Sequence, residues 1–138
     1  MRDNIFKNLL IIFIYFATQN LSAEEVFIKA QKIELEKDKK IIYAEGDVEI
    51  SDKMENTIYA KKAEYDKLKG IVKTIGPTKI ITSEKYEVNG EDITYDDNKK
   101  IIYSQNHTII TDIDKNRIVV DMFNYLTLKN MFFSKGEI

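Results

Sequence analysis

The chain has no cysteine and a single histidine, His107, among its 138 residues. Without cysteine there is no disulfide to staple a small exported domain, so stability has to come from an apolar core or from pairing with partner strands. The usual zinc ligands are missing too. The apolar run Leu9–Ala17 (LLIIFIYFA) is far shorter than the roughly 20 residues that span a bilayer. Basic residues are interspersed with acidic ones rather than clustered, which excludes a nucleic-acid footprint and a polybasic membrane patch. Nucleophile motifs and phosphate-cradling glycine loops are absent. Asp92, Asp96, Asp97, Asp112 and Asp114 do not form a calcium loop and read as turn chemistry. General acid–base work needs a positioned partner, and nothing implies one for His107, which falls in a turn. No catalytic residue, cofactor or metal site is expected.

What is present begins with an export signal. Arg2 and Lys7 precede the apolar run, and Leu21-Ser22-Ala23 follows a polar segment, the pattern of a secretory signal peptide cut after Ala23. The rival is an uncleaved N-terminal anchor. Removing residues 1–23 takes away Arg2, Lys7 and Asp3, so 21 basic and 23 acidic residues become 19 and 22, a net charge of −3.

The remaining residues, 24–138, repeat. Ile33–Ile50, Ala63–Ile80, Ile93–Ile110 and Phe123–Ile138 align without a gap at a spacing of 30 residues. Lys39, Lys69, Lys99 and Lys129 coincide, as do Gly46, Gly76, Asn106 and Gly136. A fixed period in this range signals units that bury their faces on one another. Each unit is rich in Ile, Val, Tyr, Thr and Phe, which favour strands, and carries a polar break such as Glu36-Lys37-Asp38-Lys39 that reads as a hairpin turn. A helix over Glu24–Lys40 is the weaker reading, because the same frame assigns that stretch to strand. The apolar positions alternate, but their parity slips once per unit: Ile28 and Ala30 are followed by Ile33 and Leu35, Ile58 and Ala60 by Ala63 and Tyr65, Val88 and Gly90 by Ile93 and Tyr95, Ile118 and Val120 by Phe123 and Tyr125. A slip repeated four times predicts a bulge or corner that carries a strand from one sheet to another. The glycine or asparagine at 46, 76, 106 and 136 marks a second kink. The expected fold is all-β: an open, twisted β-jelly-roll, or β-taco, of antiparallel strands built from four repeats. The fourth unit stops within its second strand without a polar cap, so the domain is expected to be truncated at its C-terminus.

Ile41-Ile42-Tyr43-Ala44-Glu45-Gly46-Asp47-Val48-Glu49-Ile50, followed by Thr57–Asp66, resembles the hallmark strand and the following strand and turn of the OstA-like lipopolysaccharide-transport family. Gly90–Asp96 and Ser134–Ile138 repeat the pattern more loosely, with Pro77 and His107 where the first unit has Asp47. The resemblance implies a jelly-roll that holds the acyl chains of lipid A, the lipid part of lipopolysaccharide. It also implies end-to-end pairing with other jelly-roll domains through edge strands, in a bridge across the periplasm. The cleavable signal points away from the anchored family member. The soluble periplasmic member and the periplasmic N-terminal domain of the outer-membrane member stay open, and the abrupt end favours the second.

On this reading the interior lining is Ile28, Ile33, Leu35, Ile42, Val48, Ile50, Ile58, Tyr65, Val72, Ile80, Val88, Ile93, Tyr95, Ile102, Ile110, Ile118, Phe123, Tyr125 and Phe132. The same side chains would form plain core in any β-sandwich. The edges expected to pair are the first unit, Val26–Leu35, and the last, Phe123–Ile138. Two other classes compete with a lipid carrier. One is a structural or adhesive β-repeat protein without a lipid ligand. The other is a glycan-active enzyme, which needs paired carboxylates in a cleft.

Overall fold

The computed structural model describes residues 26–135, all strand, turn or irregular. The signal peptide expected over residues 1–23, its expected cleavage site, residues 24 and 25, and residues 136–138 lie outside them. Twelve strands follow in order: β1 Val26–Lys29, β2 Lys32–Glu36, β3 Ile41–Asp52, β4 Thr57–Asp66, β5 Ile71–Ile81, β6 Glu87–Glu91, β7 Thr94–Asp96, β8 Ile101–Ser104, β9 Thr108–Thr111, β10 Arg117–Val120, β11 Met122–Leu126 and β12 Met131–Lys135. The stretch Glu24–Lys40, for which a helix is the weaker reading of the sequence, contributes β1 and β2.

Pairing is antiparallel throughout and describes two half-sheets that share their longest strands. One runs β2, first half of β3, second half of β4, first half of β5, β7, β8, β11, β12. The other runs β1, second half of β3, first half of β4, second half of β5, β6, β9, β10. The parity slips are the corners between them. In β4 the register jumps from Ala60 to Lys62, so Lys61 alone faces Gly46 and Asp47 on one side and Gly76 and Pro77 on the other. Two residues against one bends a ladder. At the remaining slips the chain breaks between β1 and β2, β6 and β7, and β10 and β11. Gly46 and Gly76 take φ of +83° and +81°, backbone angles that suit glycine. Asn106, third in that series, has no positive φ and instead donates its Nδ2 to the Glu91 carbonyl at 3.1 Å.

The hairpin turns obey the same period. Lys40, Gly70, Lys100 and Asn130 all have φ between +52° and +67°, and close the four turns of the first half-sheet. Glu55, Lys85 and Lys115 do the same for the second, at φ of +68° to +72°. Aspartates brace these turns. Asp66 Oδ1 accepts the backbone N–H of Leu68 and Lys69, and Asp96 Oδ1 accepts those of Asn98 and Lys99. Asp92 works at a corner, where its Oδ1 accepts Gly76 N–H at 2.7 Å.

Candidate functional site

Bending each long strand at one point brings the inner faces of both half-sheets onto one core. Directly paired residues project from the same face, so register alone defines two apolar rows that cross the strands. In the first half-sheet the row is Leu35, Ile42, Tyr65, Val72, Tyr95, Ile102, Tyr125 and Phe132, each opposite the next. In the second it is Ile28, Ile50, Ile58, Ile80, Val88, Ile110 and Ile118. At about 4.8 Å per strand the first row is roughly 34 Å long. Neither row contains a charged residue. Ile33, Val48, Ile93 and Phe123 complete the interior beside them.

Most of these side chains are sealed: Ile102 is 0% exposed and Val48 1%. Ile33, Leu35, Tyr65 and Phe132 are partly buried and pack against the core. Ile118 departs from the expectation of an interior lining. It lies on the inner face opposite Ile110, yet it is 53% exposed. The reason is its place: among the described residues β10 pairs only with β9, so nothing stacks over Ile118. Phe132 closes the same end in the other half-sheet, stacked on Tyr125 at 4.5 Å between ring centres and edge-on to Tyr86 at 5.4 Å.

The lining is less uniformly apolar than expected. Near the corners the interior holds Thr74, Thr78, Ser104 and Thr108, all buried. Their hydroxyls are occupied. Thr78 donates to Thr74 Oγ1 at 2.7 Å, Thr74 Oγ1 accepts Ile93 N–H at 2.9 Å, and Thr108 donates to the Asn106 carbonyl at 2.7 Å. The buried polar groups therefore brace the corner without presenting free donors to the core.

A second polar group lies on the side away from the corners. The Tyr95 hydroxyl, from β7, is 3.0 Å from Asp52 Oδ2, at the end of β3 in the other half-sheet, and 3.0 Å from Asp97 Oδ1. Lys100 Nζ donates to Asp97 Oδ1 at 2.7 Å, while Asp97 Oδ2 is buried and makes no hydrogen bond within the described protein. Burial first, then the two carboxylates, hold the Tyr95 phenol far above the usual tyrosine range. Asp52 also accepts the backbone N–H of Met54 and Asn56 and the Asn56 amide. Asn56 Oδ1 accepts Ser83 N–H at 2.9 Å, Ser83 Oγ donates to Asn130 Oδ1 at 3.2 Å, and the Tyr125 hydroxyl donates to the same oxygen at 2.8 Å. None of these polar partners follows from alternation or composition. The available clue is again the period: Asp52, Thr82 and Asp112 coincide, as do Tyr65, Tyr95 and Tyr125.

His107 stays exposed between β8 and β9. The described residues contain no group of three or more acidic, histidine or cysteine side chains able to hold a metal. The strands that end the two half-sheets are those of the first unit, β1 and β2, at one end, and β10 and β12 at the other.

No family model matches the chain. No curated protein matches it either. Among solved structures it is similar to the crystal structure of LptH, the LptA-homologous periplasmic component of the conserved lipopolysaccharide transport device from Pseudomonas aeruginosa. The TM-score is 0.65 at 14% sequence identity, covering 80% of this chain and 82% of that one. The all-β, open antiparallel jelly-roll expected from the repeats is thus the fold of that transport component.

Proposed function

We propose that the protein is a periplasmic, non-enzymatic module that binds lipopolysaccharide by its acyl chains and takes part in its transport to the outer membrane. The observation that carries this reading is the pair of facing apolar rows, uninterrupted by charge from β1 and β2 to β10 and β12. An acyl chain of roughly a dozen carbons costs on the order of 10 kcal/mol to expose to water, at ~0.8 per methylene. Crossing an aqueous compartment therefore calls for a continuous apolar track, and a folded-over sheet supplies one. The likeness to a periplasmic transport component lends the reading its setting. The signal peptide expected over residues 1–23 fits export, and the chain serves either as a soluble carrier or as the periplasmic part of an outer-membrane protein. Neighbouring jelly-roll domains add to the terminal strands, whose outer backbone edges have no partner among the described residues.

The two carboxylates that converge, Asp52 and Asp97, do so on a buried phenol and not in a cleft, which speaks against the glycan-active alternative. The test is photo-crosslinking to lipopolysaccharide from a photoreactive residue at Ile42 or Ile102, with exposed Lys99 as control. Crosslinks at both interior sites and none at Lys99 are expected. A folded protein that gives none at either interior site is a closed β-repeat protein, and the carrier reading fails.

A further inference from the structure

The apolar rows are packed shut, so an acyl chain has to part the two half-sheets. We infer that the polar seam opposite the corners is the latch that opens, and that lipid loads sideways through it. The corners cannot serve, because β3, β4 and β5 run through them as continuous strands. On the opposite side no strand crosses among the described residues. There, hydrogen bonds and packing hold the half-sheets together: Tyr95 to Asp52, Ser83 to Asn130, and the edge-on contact of Tyr86 with Phe132.

The chemistry of the seam suits a latch. Tyr95 has one proton and two carboxylate acceptors at 3.0 Å, so one of these contacts is always without it. Asp97 Oδ2, buried and unpaired, withholds further stabilisation from the shut state. When the halves separate, Asp52 keeps its three hydrogen bonds from Met54 and Asn56, and Asp97 keeps Lys100. Each half thus remains largely satisfied when open, and the carboxylates gain water. Core packing alone would part only with apolar exposure and no such compensation.

The inference rests on the lipid-carrier reading, and its test separates the two. The chain lacks cysteine, so Ser83→Cys with Asn130→Cys gives a unique thiol pair across the seam. Bridging it with dibromobimane pins the latch, whereas capping both thiols with N-ethylmaleimide does not. The readout is crosslinking of lipopolysaccharide from a photoreactive residue at Ile102. Capped protein that loads and bridged protein that loads about tenfold less or worse supports the latch, the size expected when a route is closed rather than weakened. Equal loading overturns it and leaves the ends of the stack as the way in. If neither form nor the unmodified protein loads, the carrier reading fails, and labelling of a single buried thiol, Ile102→Cys, then judges the seam by itself. The thiol should react faster than global unfolding of the same variant, measured in urea, allows, and about 30-fold faster again with Tyr95→Phe, the effect of losing one hydrogen bond to a charged acceptor. Labelling no faster than global unfolding, or unaffected by Tyr95→Phe, overturns the latch. The same labelling decides if the double-cysteine protein does not fold.

Discussion

Replacing Tyr95 by Phe removes one hydroxyl from the seam and leaves the ring in the apolar row. Neither carboxylate is stranded by the change: Asp52 Oδ2 still accepts the Asn56 amide, and Asp97 Oδ1 still accepts Lys100. The loss is one hydrogen bond to a charged acceptor, about 2 kcal/mol at neutral pH. That loss depends on pH, and its sign is fixed by the phenol. Burial and the two carboxylates raise its pKa in the folded protein, whereas in the unfolded chain it titrates near its ordinary value of 10.0. The folded state therefore holds a proton that the unfolded state gives up. The stabilisation is complete below pH 10 and is lost as pH rises above it, by about 1.4 kcal/mol per pH unit. The difference between wild type and Tyr95→Phe, about 2 kcal/mol at pH 7, should then shrink to about 0.6 at pH 11. Urea unfolding followed by circular dichroism at both pH values measures it, and the other tyrosines and the lysines cancel because both proteins share them. A difference that does not change between pH 7 and pH 11 would mean that Tyr95 ionises as freely in the folded state as in the unfolded one. That would refute the closed seam.

Other expectations follow from the corners and the stack end. Gly46→Ala should cost more than Gly76→Ala, as read by denaturant midpoints. Both need a positive φ, worth about 1–2 kcal/mol, but a Cβ at 46 collides with Gln31 Oε1 while at 76 it meets open space. Ile110→Ala should lose 2–5 kcal/mol by the usual ~large-to-small scale, and Ile118→Ala, its exposed neighbour on the same face, under about 1; equal losses would mean Ile118 is covered in solution. Lys100→Met should destabilise by about 1.5–3 kcal/mol, since it removes the ammonium bonded to buried Asp97 at 2.7 Å, and a pair of scans by calorimetry is enough to see it.

The fold was legible in the sequence because it repeats. Alternation placed Ile42, Val48 and Ile50 on one face, and the slip at Ala60–Ala63 located the corner that register places at Lys61. Periodicity reads the direction of side chains, so it found the apolar rows. It does not read what the end of a strand meets across the core. The contact of Tyr95 with Asp52 joins residues 43 apart and depends on how the two half-sheets close, which no local pattern encodes. Ile118 failed as interior for a related reason. Its parity is right, but burial also requires a strand above it. Thr74 and Thr78 share the parity of Val72 and Ile80, but a hydroxyl looks polar in sequence and behaves as core only once its partner is local, as it does here and at Thr108.

The turn geometry has one further consequence, for length. Left-handed residues recur at 40, 70, 100 and 130 and at 55, 85 and 115, so each 30-residue unit brings its own two turns and its own corner. Such a unit adds two strands to each half-sheet, or about 9.6 Å of track. The span of the molecule is therefore quantised: evolution or an engineer can lengthen or shorten it in whole steps by duplicating or deleting one unit, while a fraction of a step would set its turns and corners out of line with those of the neighbouring strands.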